Sequence, residues 1–240
     1  MQVEFLSNDK KVLNVITLGK TGNPKISKKS EIVLQTYHFD IKQLQFIADN
    51  GKGITLKEGF IQPKLTTNNC GVCPLRFGGC YTFKFHQALG HLSKLKAIIR
   101  RNKLMEFSTL TDEIKSKVLY MLSLTSQKYI RFGTYGCPTH LPIDLVKDIC
   151  NEAKTWTGYT HEWNDPNKAE YLNYFMASSH SNDSTFASEI ANKYGFRTFE
   201  INSKNGVYCP HYTHGVKCSD CGLCSGTIGK GKTNIYTHKH

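Results

Sequence analysis

KYIRFGTYG (residues 128–136), PIDLVKDICNEAKTW (142–156), TGYTHEW (157–163), NKAEYLNY (167–174), FMASSHS (175–181), STFASEIANKYG (184–195) and FRTFEI (196–201) alternate between two patterns. The first, third, fifth and seventh pieces are short runs of aromatic and β-branched residues, the signature of strands. The pieces between them carry apolar residues at helical spacing, as Leu145, Val146 and Ile149 do, and Gly195 suits a left-handed helix end. Alternating strands and helices imply a mostly parallel sheet. Repeated this often, the unit fits a TIM-like (partial) β/α barrel better than a short open sheet. In such folds ligands gather at the C-terminal ends of the strands. Those ends are Tyr135-Gly136-Cys137, His161-Glu162, Ser179-His180 and Cys209-Pro210-His211. A histidine or cysteine at four successive strand ends points to one shared pocket.

Working outward, GVYCP (206–210) leads into a cysteine-rich loop, and NIYTHKH (234–240) reads as a last strand. Upstream, residues 1–18 read as a hairpin turning at Asn8-Asp9, 19–30 as a polar loop, 31–37 and 54–62 as strands, with Asp40 capping a short helix that buries Ile41, Leu44 and Ile47. A helix is expected over about 84–102 with Leu89, Leu92, Leu95 and Ile99 inward, and another from the N-cap Thr111. The expected organisation is an N-terminal β-rich segment (1–62) packed on a barrel-like domain (63–240).

Seven of the nine cysteines fall into two tight groups: Cys70, Cys73 and Cys80, and Cys209, Cys218, Cys221 and Cys224. An odd total disfavours a complete disulfide framework. The first residues carry no signal-peptide pattern, and no apolar run approaches the roughly 18 residues of a membrane span. A reducing cytoplasm is therefore expected, where thiols are kept for metals or catalysis. The formal charge of +12 favours anionic partners, although Lys and Arg can equally offset thiolate-rich metal sites.

In the C-terminal group, Cys218, Cys221 and Cys224 form C-x2-C-x2-C, and Cys209 supplies a fourth thiolate. The run resembles the cluster-binding loop of bacterial ferredoxins, which implies an iron–sulfur cluster. Four cysteines are also a structural zinc set, and zinc stays as the alternative metal. The upstream group is C-x2-C-x6-C. Its fourth position is open to Cys137, to His86 or His140, or to an exogenous ligand. Three cysteines in a loop followed by an aromatic residue resemble the radical S-adenosylmethionine enzymes, whose spacing is C-x3-C-x2-C. That resemblance implies a barrel and S-adenosylmethionine as a cosubstrate. CGVC…CY, RFGTYGCP, MASSHS…GFRTFEI and CP…KCSDCGLCSG together resemble an uncharacterised family of cysteine-rich phage and plasmid proteins, across about residues 70–226. It implies a barrel-type metalloprotein in the host cell's cytoplasm. An acidic residue is usual in that family where Cys137 stands.

The expectation is thus two clusters, both [4Fe–4S], one held by Cys70, Cys73 and Cys80 and one by Cys209, Cys218, Cys221 and Cys224. They would serve a redox or radical-type role with an electron donor or small-molecule substrate. Glu162 is the acid/base candidate, with His161 and His180 beside it; His211 and His214 are further ligand or proton-donor candidates, and Ser178-Ser179 an anion contact. Cys150 reads as a core residue. The alternative is a zinc-stabilised nucleic-acid-binding protein using the basic helix face Lys94, Lys96, Arg100, Arg101 and Lys103.

Overall fold

A computed structural model describes residues 1–28, 31–51, 54–55, 63–70, 73, 80, 85–102, 105–179 and 184–238, with only the backbone at 63, 85–87 and 184–187. The described strands form two five-stranded sheets. The first runs in the order β1 (Gln2–Leu6), β2 (Val12–Lys20), β3 (Ile32–Asp40), β4 (Tyr129–Tyr135) and β5 (Thr155–Thr157). β1–β2 and β2–β3 are antiparallel, while β3–β4 and β4–β5 are parallel. The second contains β6 (Tyr159–Thr160), β7 (Met176–Ser179), β8 (Thr198–Ile201), β10 (Ile235–Thr237) and β9 (Val207–Tyr208), in that spatial order and parallel throughout. The protein is thus a mixed α/β fold, and its N-terminal strands are hydrogen-bonded members of the first sheet.

The hairpin expected at the start is present, with Leu6 opposite Leu13. Its turn is closed by Asp9, which accepts from the Ser7 hydroxyl at 2.6 Å and the Lys11 amide at 3.2 Å. TGYTHEW is not one strand. It divides at Gly158 into β5 and β6, so a single run of chain serves both sheets. A Cβ on Gly158 would stand 2.5 Å from Phe175 Cδ1, so a side chain at this crossing would force the packed Phe175 ring aside. NKAEYLNY forms a 3₁₀ helix over Pro166–Asn173, capped by Asp165, which accepts from the Asn167 amide at 2.9 Å. Of the strand expected at 54–62, Ile54 and Thr55 are described and belong to no strand; 56–62 lie outside the described residues.

Helices cover both faces of the first sheet. On one face Phe5, Ile16, Leu34, Ile130 and Phe132 pack with α4 (Asp112–Ser123) and α5 (Ile143–Glu152), where Cys150 is buried among Leu145, Val146 and Ile149. On the other, Leu13, Val15, Tyr37, Phe39 and Tyr135 pack with α1 (Ile41–Asn50) and α3 (Phe85–Arg101). Asp40 caps α1, accepting from the Lys42 amide, and Thr111 caps α4. The buried stripe of α3 is Ala88, Leu92, Leu95 and Ile98; Leu89 is 51% exposed. The difference is rotational: Leu89 lies about 100° round the helix from Ala88, so it turns off the stripe. α6 (Ser184–Lys193) covers β7 and β8 and is followed by Gly195 at φ 77°. Among the described residues no helix is long and apolar enough to cross a membrane.

His91 is buried on α3 between Tyr37 and Tyr135, with ring centroids 5.6 and 5.1 Å away. Burial, then the charges of Arg131 and Lys94, lower its pKa from 6.5 to about 3. The folded imidazole therefore stays neutral where the unfolded chain would protonate it. Its contribution is whole above pH 6.5 and is lost as pH falls toward 3. Urea denaturation is expected to show stability falling through this window, and His91→Phe to reduce that fall by on the order of 3 kcal/mol. Part of the fall will persist, because buried His38 is also held well below its ordinary value by burial.

Candidate metal centre

The upstream cysteines are hung from the C-terminal end of β3. The Asp40 carboxylate that caps α1 also accepts from the Asn68 amide at 2.7 Å and the Asn68 side chain at 3.0 Å, which starts α2 (Thr67–Cys70). Asn69 donates to the His38 carbonyl at 2.8 Å, and its own carbonyl accepts from the Cys137 amide at 2.9 Å. Cys70 thus emerges between β3 and β4, and the Cys73 amide returns to its carbonyl at 2.9 Å. Cys70 and Cys80 both act on the buried Tyr135 hydroxyl, whose pKa is raised well above its ordinary value by burial first and then by these two thiols.

The C-terminal group is built from both ends of the second sheet. Cys209 leaves β9, and its amide donates to the Tyr236 carbonyl on β10 at 2.9 Å. The short α7 (Pro210–His214) and α8 (Cys218–Cys221) then carry the chain back across the fold. The Cys218 and Ser219 amides donate to the carbonyls of Lys25 and Ile26, each at 2.9 Å, and Thr155 on β5 donates to the Ser219 carbonyl at 2.9 Å. The Cys224 carbonyl accepts from the Gly158 amide at 3.1 Å. Arg197, 6% exposed on the approach to β8, donates to the carbonyls of Leu223 at 2.8 Å, Gly226 at 2.7 Å and Thr233 at 2.5 Å.

All four C-terminal cysteines line one cavity of about 20 Å³. Burial pushes the Cys218 thiol up to about 11, with Lys25 and Arg131 pulling it down and Cys209 and Cys221 pushing it further up. Cys224 is pushed up to about 12, again by burial first, while the Tyr159 hydroxyl bonds its sulfur and lowers it. Burial would lower the Lys25 ammonium, but Cys209, Tyr212, Cys218 and Cys224 outweigh it and leave Lys25 above its ordinary value. The thiols are therefore mutually coupled and matched by Lys25 and Arg131. Among the described residues, no three histidine, cysteine, aspartate or glutamate side chains stand close enough to hold a metal ion. The loop would have to draw the sulfurs inward to reach coordination distance, about 2.3 Å for zinc.

The two cysteine groups meet. Cys73 and Cys80 pack against the same apolar cluster, with Met176, Phe199 and Ile235, that contains Cys209 and Cys224. The strand ends of β4 and β6 gather a separate set. The Cys137 sulfur lies 3.2 Å from the Thr139 hydroxyl and 3.1 Å from that of Thr160, and Thr139 donates to Glu162. His140 Nε2 is 4.0 Å from Glu162. Burial and the Glu162 charge hold the Cys137 thiol above its ordinary pKa, so it is protonated at neutral pH. His161 adjoins this set, whereas His180 lies outside the described residues. Ser178 and Ser179 are buried on β7, His211 joins the cysteine cavity, and His214 bonds Thr213 at 2.6 Å on the exposed side of α7.

The basic face of α3 is partly turned inward. Lys94 stands 4.4 Å above the Tyr37 ring, Lys96 donates to the Ile54 carbonyl at 3.2 Å, Arg100 donates to the Lys96 carbonyl at 3.3 Å, and Arg101 pairs with Glu4 at 2.7 Å. Lys103 lies outside the described residues. The reading of motifs missed Arg197, Lys25, Arg131 and Tyr159. Arg197 had one signal, a cation between two phenylalanines at the mouth of an apolar strand, while the others become neighbours of the cysteines only through the fold. No family model matches the chain, and no curated protein or solved structure is significantly similar to it.

Arg197→Met would leave the three carbonyls without their donor. It should cost about 2–4 kcal/mol in urea denaturation, with Arg197→Lys intermediate because an ammonium has no planar fork.

Proposed function

We propose that this is an iron–sulfur protein with two clusters, probed best as [4Fe–4S] centres, in a redox or radical-type role. The observation that carries the reading is that Cys209, Cys218, Cys221 and Cys224 line one cavity while Cys73 and Cys80 pack on the apolar cluster containing two of them. Cys209, Cys218, Cys221 and Cys224 would hold one group; Cys70, Cys73 and Cys80 would hold the other, leaving a position for an exogenous ligand, with S-adenosylmethionine as the candidate cosubstrate. Iron–sulfur clusters supply one-electron chemistry when bound. The chain's own contribution is electrostatic. Lys25 and Arg131 offset thiolate charge, the Tyr159 hydroxyl bonds the Cys224 sulfur, and the apolar packing of Met176, Phe199 and Ile235 limits water.

The finer fold reading belongs to this proposal. β3, β4, β5/β6, β7 and β8 follow one another in space as in sequence, all parallel, with a hinge at Gly158. That order supports a partial β/α barrel whose inner side carries the cysteines. Acid/base chemistry, where the reaction needs it, would fall to Glu162 with His140 and His161 beside it.

The cavity size favours a second reading. About 20 Å³ is room for one water-sized atom. A single zinc ion on the four C-terminal thiolates fits that volume with less loop movement than a cluster, and the centre would then be structural. Cysteine grouping favours iron: C-x2-C-x2-C sets three thiolates around one face, and a second triad adjoins it.

Anaerobic purification followed by iron, sulfide and zinc analysis separates the two. Roughly eight irons and eight sulfides per chain, with broad visible absorption bleached on reduction, is the expected result. Cys221→Ser should remove about half of that iron and Cys73→Ser about the other half. Stoichiometric zinc in a colourless protein would overturn the iron–sulfur reading.

A further inference from the structure

Away from the cysteines, the first sheet and α3 border an open groove of about 530 Å³. Its cations come from two elements: Lys20 from the end of β2, and Lys94 and Arg101 from α3, about two turns apart on one face. Gln2 and Gln35 add side-chain amides, and the Tyr37 ring forms part of the wall beneath Lys94. Arg131 is the cross-strand partner of Gln35 and acts electrostatically on His91, one turn from Lys94, so its charge reaches the same side of the sheet.

The charge balance of this groove is one-sided. Glu4 is the carboxylate beside it, and it is already engaged: it accepts from Arg101 at 2.7 Å, from Asn102 at 2.7 Å and from Gln2 at 2.5 Å. Lys94 is half-buried beside Arg101, and burial first, then that like charge, hold its ammonium below the ordinary value. Among the described residues, Lys20, Lys94 and Arg101 face the Glu4 carboxylate, which Arg101 already holds, so the groove keeps a positive balance and an anion drawn into it would offset the repulsion of Lys94 by Arg101. The volume falls in the range of small-molecule sites, about 300–1,000 Å³, and exceeds what a bare inorganic ion needs.

We propose that this groove binds a phosphate-bearing small molecule of mononucleotide size. The phosphate would sit among Lys20, Lys94 and Arg101, and Gln2 and Gln35 would read polar groups on the remainder. Charge-assisted hydrogen bonds from two or three cations to one phosphate give such a site most of its affinity. The proposal stands on different residues from the cysteine centre and holds whichever metal that centre carries.

The test is isothermal titration calorimetry on the full chain as purified, with inorganic phosphate, pyrophosphate, AMP, ATP and a single-stranded oligonucleotide as separate probes. AMP or ATP should bind at micromolar to sub-millimolar concentration, more tightly than inorganic phosphate. Lys94→Gln should weaken that binding by about tenfold or more, the worth of one charge-assisted contact, and Lys117→Gln, on α4, should leave it unchanged. Lys20 is exposed at a strand end, so Lys20→Gln is the second variant should Lys94→Gln disturb folding, and the same direction is expected. Three results would overturn the proposal: no mononucleotide binding at millimolar concentration, binding indifferent to Lys94→Gln and Lys20→Gln alike, or binding of the oligonucleotide alone. The last would return the basic face to nucleic acid.

Discussion

The Arg197 guanidinium donates to the carbonyls of Leu223, Gly226 and Thr233, three points on the stretch that follows Cys221 and carries Cys224. A loop from 209 to 234 with this many glycines and lysines has little apolar surface of its own. Its order must come from outside, and a buried cation surrounded by carbonyl dipoles supplies it. The geometry leaves no slack: a Cβ on Gly231 would stand 2.3 Å from Arg197 Nη2. Because Arg197 precedes β8, whose Phe199 and Ile201 face the cysteine cluster, the clasp fixes the loop to the strand that forms its floor. The same charge acts on Cys224, so one side chain both holds the loop and shapes its electrostatics.

Gly158 sets where that loop can land. By splitting one run of chain between two sheets, it turns the second sheet relative to the first at the point where Thr155, Thr157 and Tyr159 approach the C-terminal cysteines. Thr155 bonds α8, Gly158 bonds Cys224 through its amide, and Tyr159 bonds the Cys224 sulfur. The hinge and the cysteine loop therefore stabilise each other.

How much of this could be read beforehand depends on the range of the signal. Local signals served well: Asp40 and Thr111 as caps, the hairpin at Asn8-Asp9, the βαβ alternation after residue 128 and the burial of Cys150 all follow from neighbours in sequence. Leu89 misled because four leucine-like positions at helical spacing define a stripe only to within one residue, and Ala88 carries too little hydrophobicity to declare itself. The strand ends misled differently. Cys137, Glu162 and Cys209 all follow strand ends, yet the first two join Thr139 and Thr160, while Cys209 lines a cavity with Lys25 and Thr157. Which side of a sheet a returning loop chooses is a tertiary matter, and no local pattern encodes it.

The meeting of the two cysteine groups is the least local feature, and it bears most on what the protein can do. Residues 73 and 80 lie more than a hundred positions from Cys209, yet they pack on the Cys209–Cys224 cluster, downstream of a helix that Asp40 and Asn69 anchor to β3 and to the end of β4. Cysteines on separate loops with no shared packing would ionise independently. Thiol groups packed on one set of apolar side chains are instead coupled: a change in charge at one alters the dielectric surroundings and neighbouring potential of the other. Lys25 and Arg131 reach Cys218, Tyr135 faces Cys70 and Cys80, and Tyr159 links Cys224 to the strand between them. A fold that packs Cys73, Cys80, Cys209 and Cys224 on one set of apolar side chains places the two cysteine groups within reach of one another's charge.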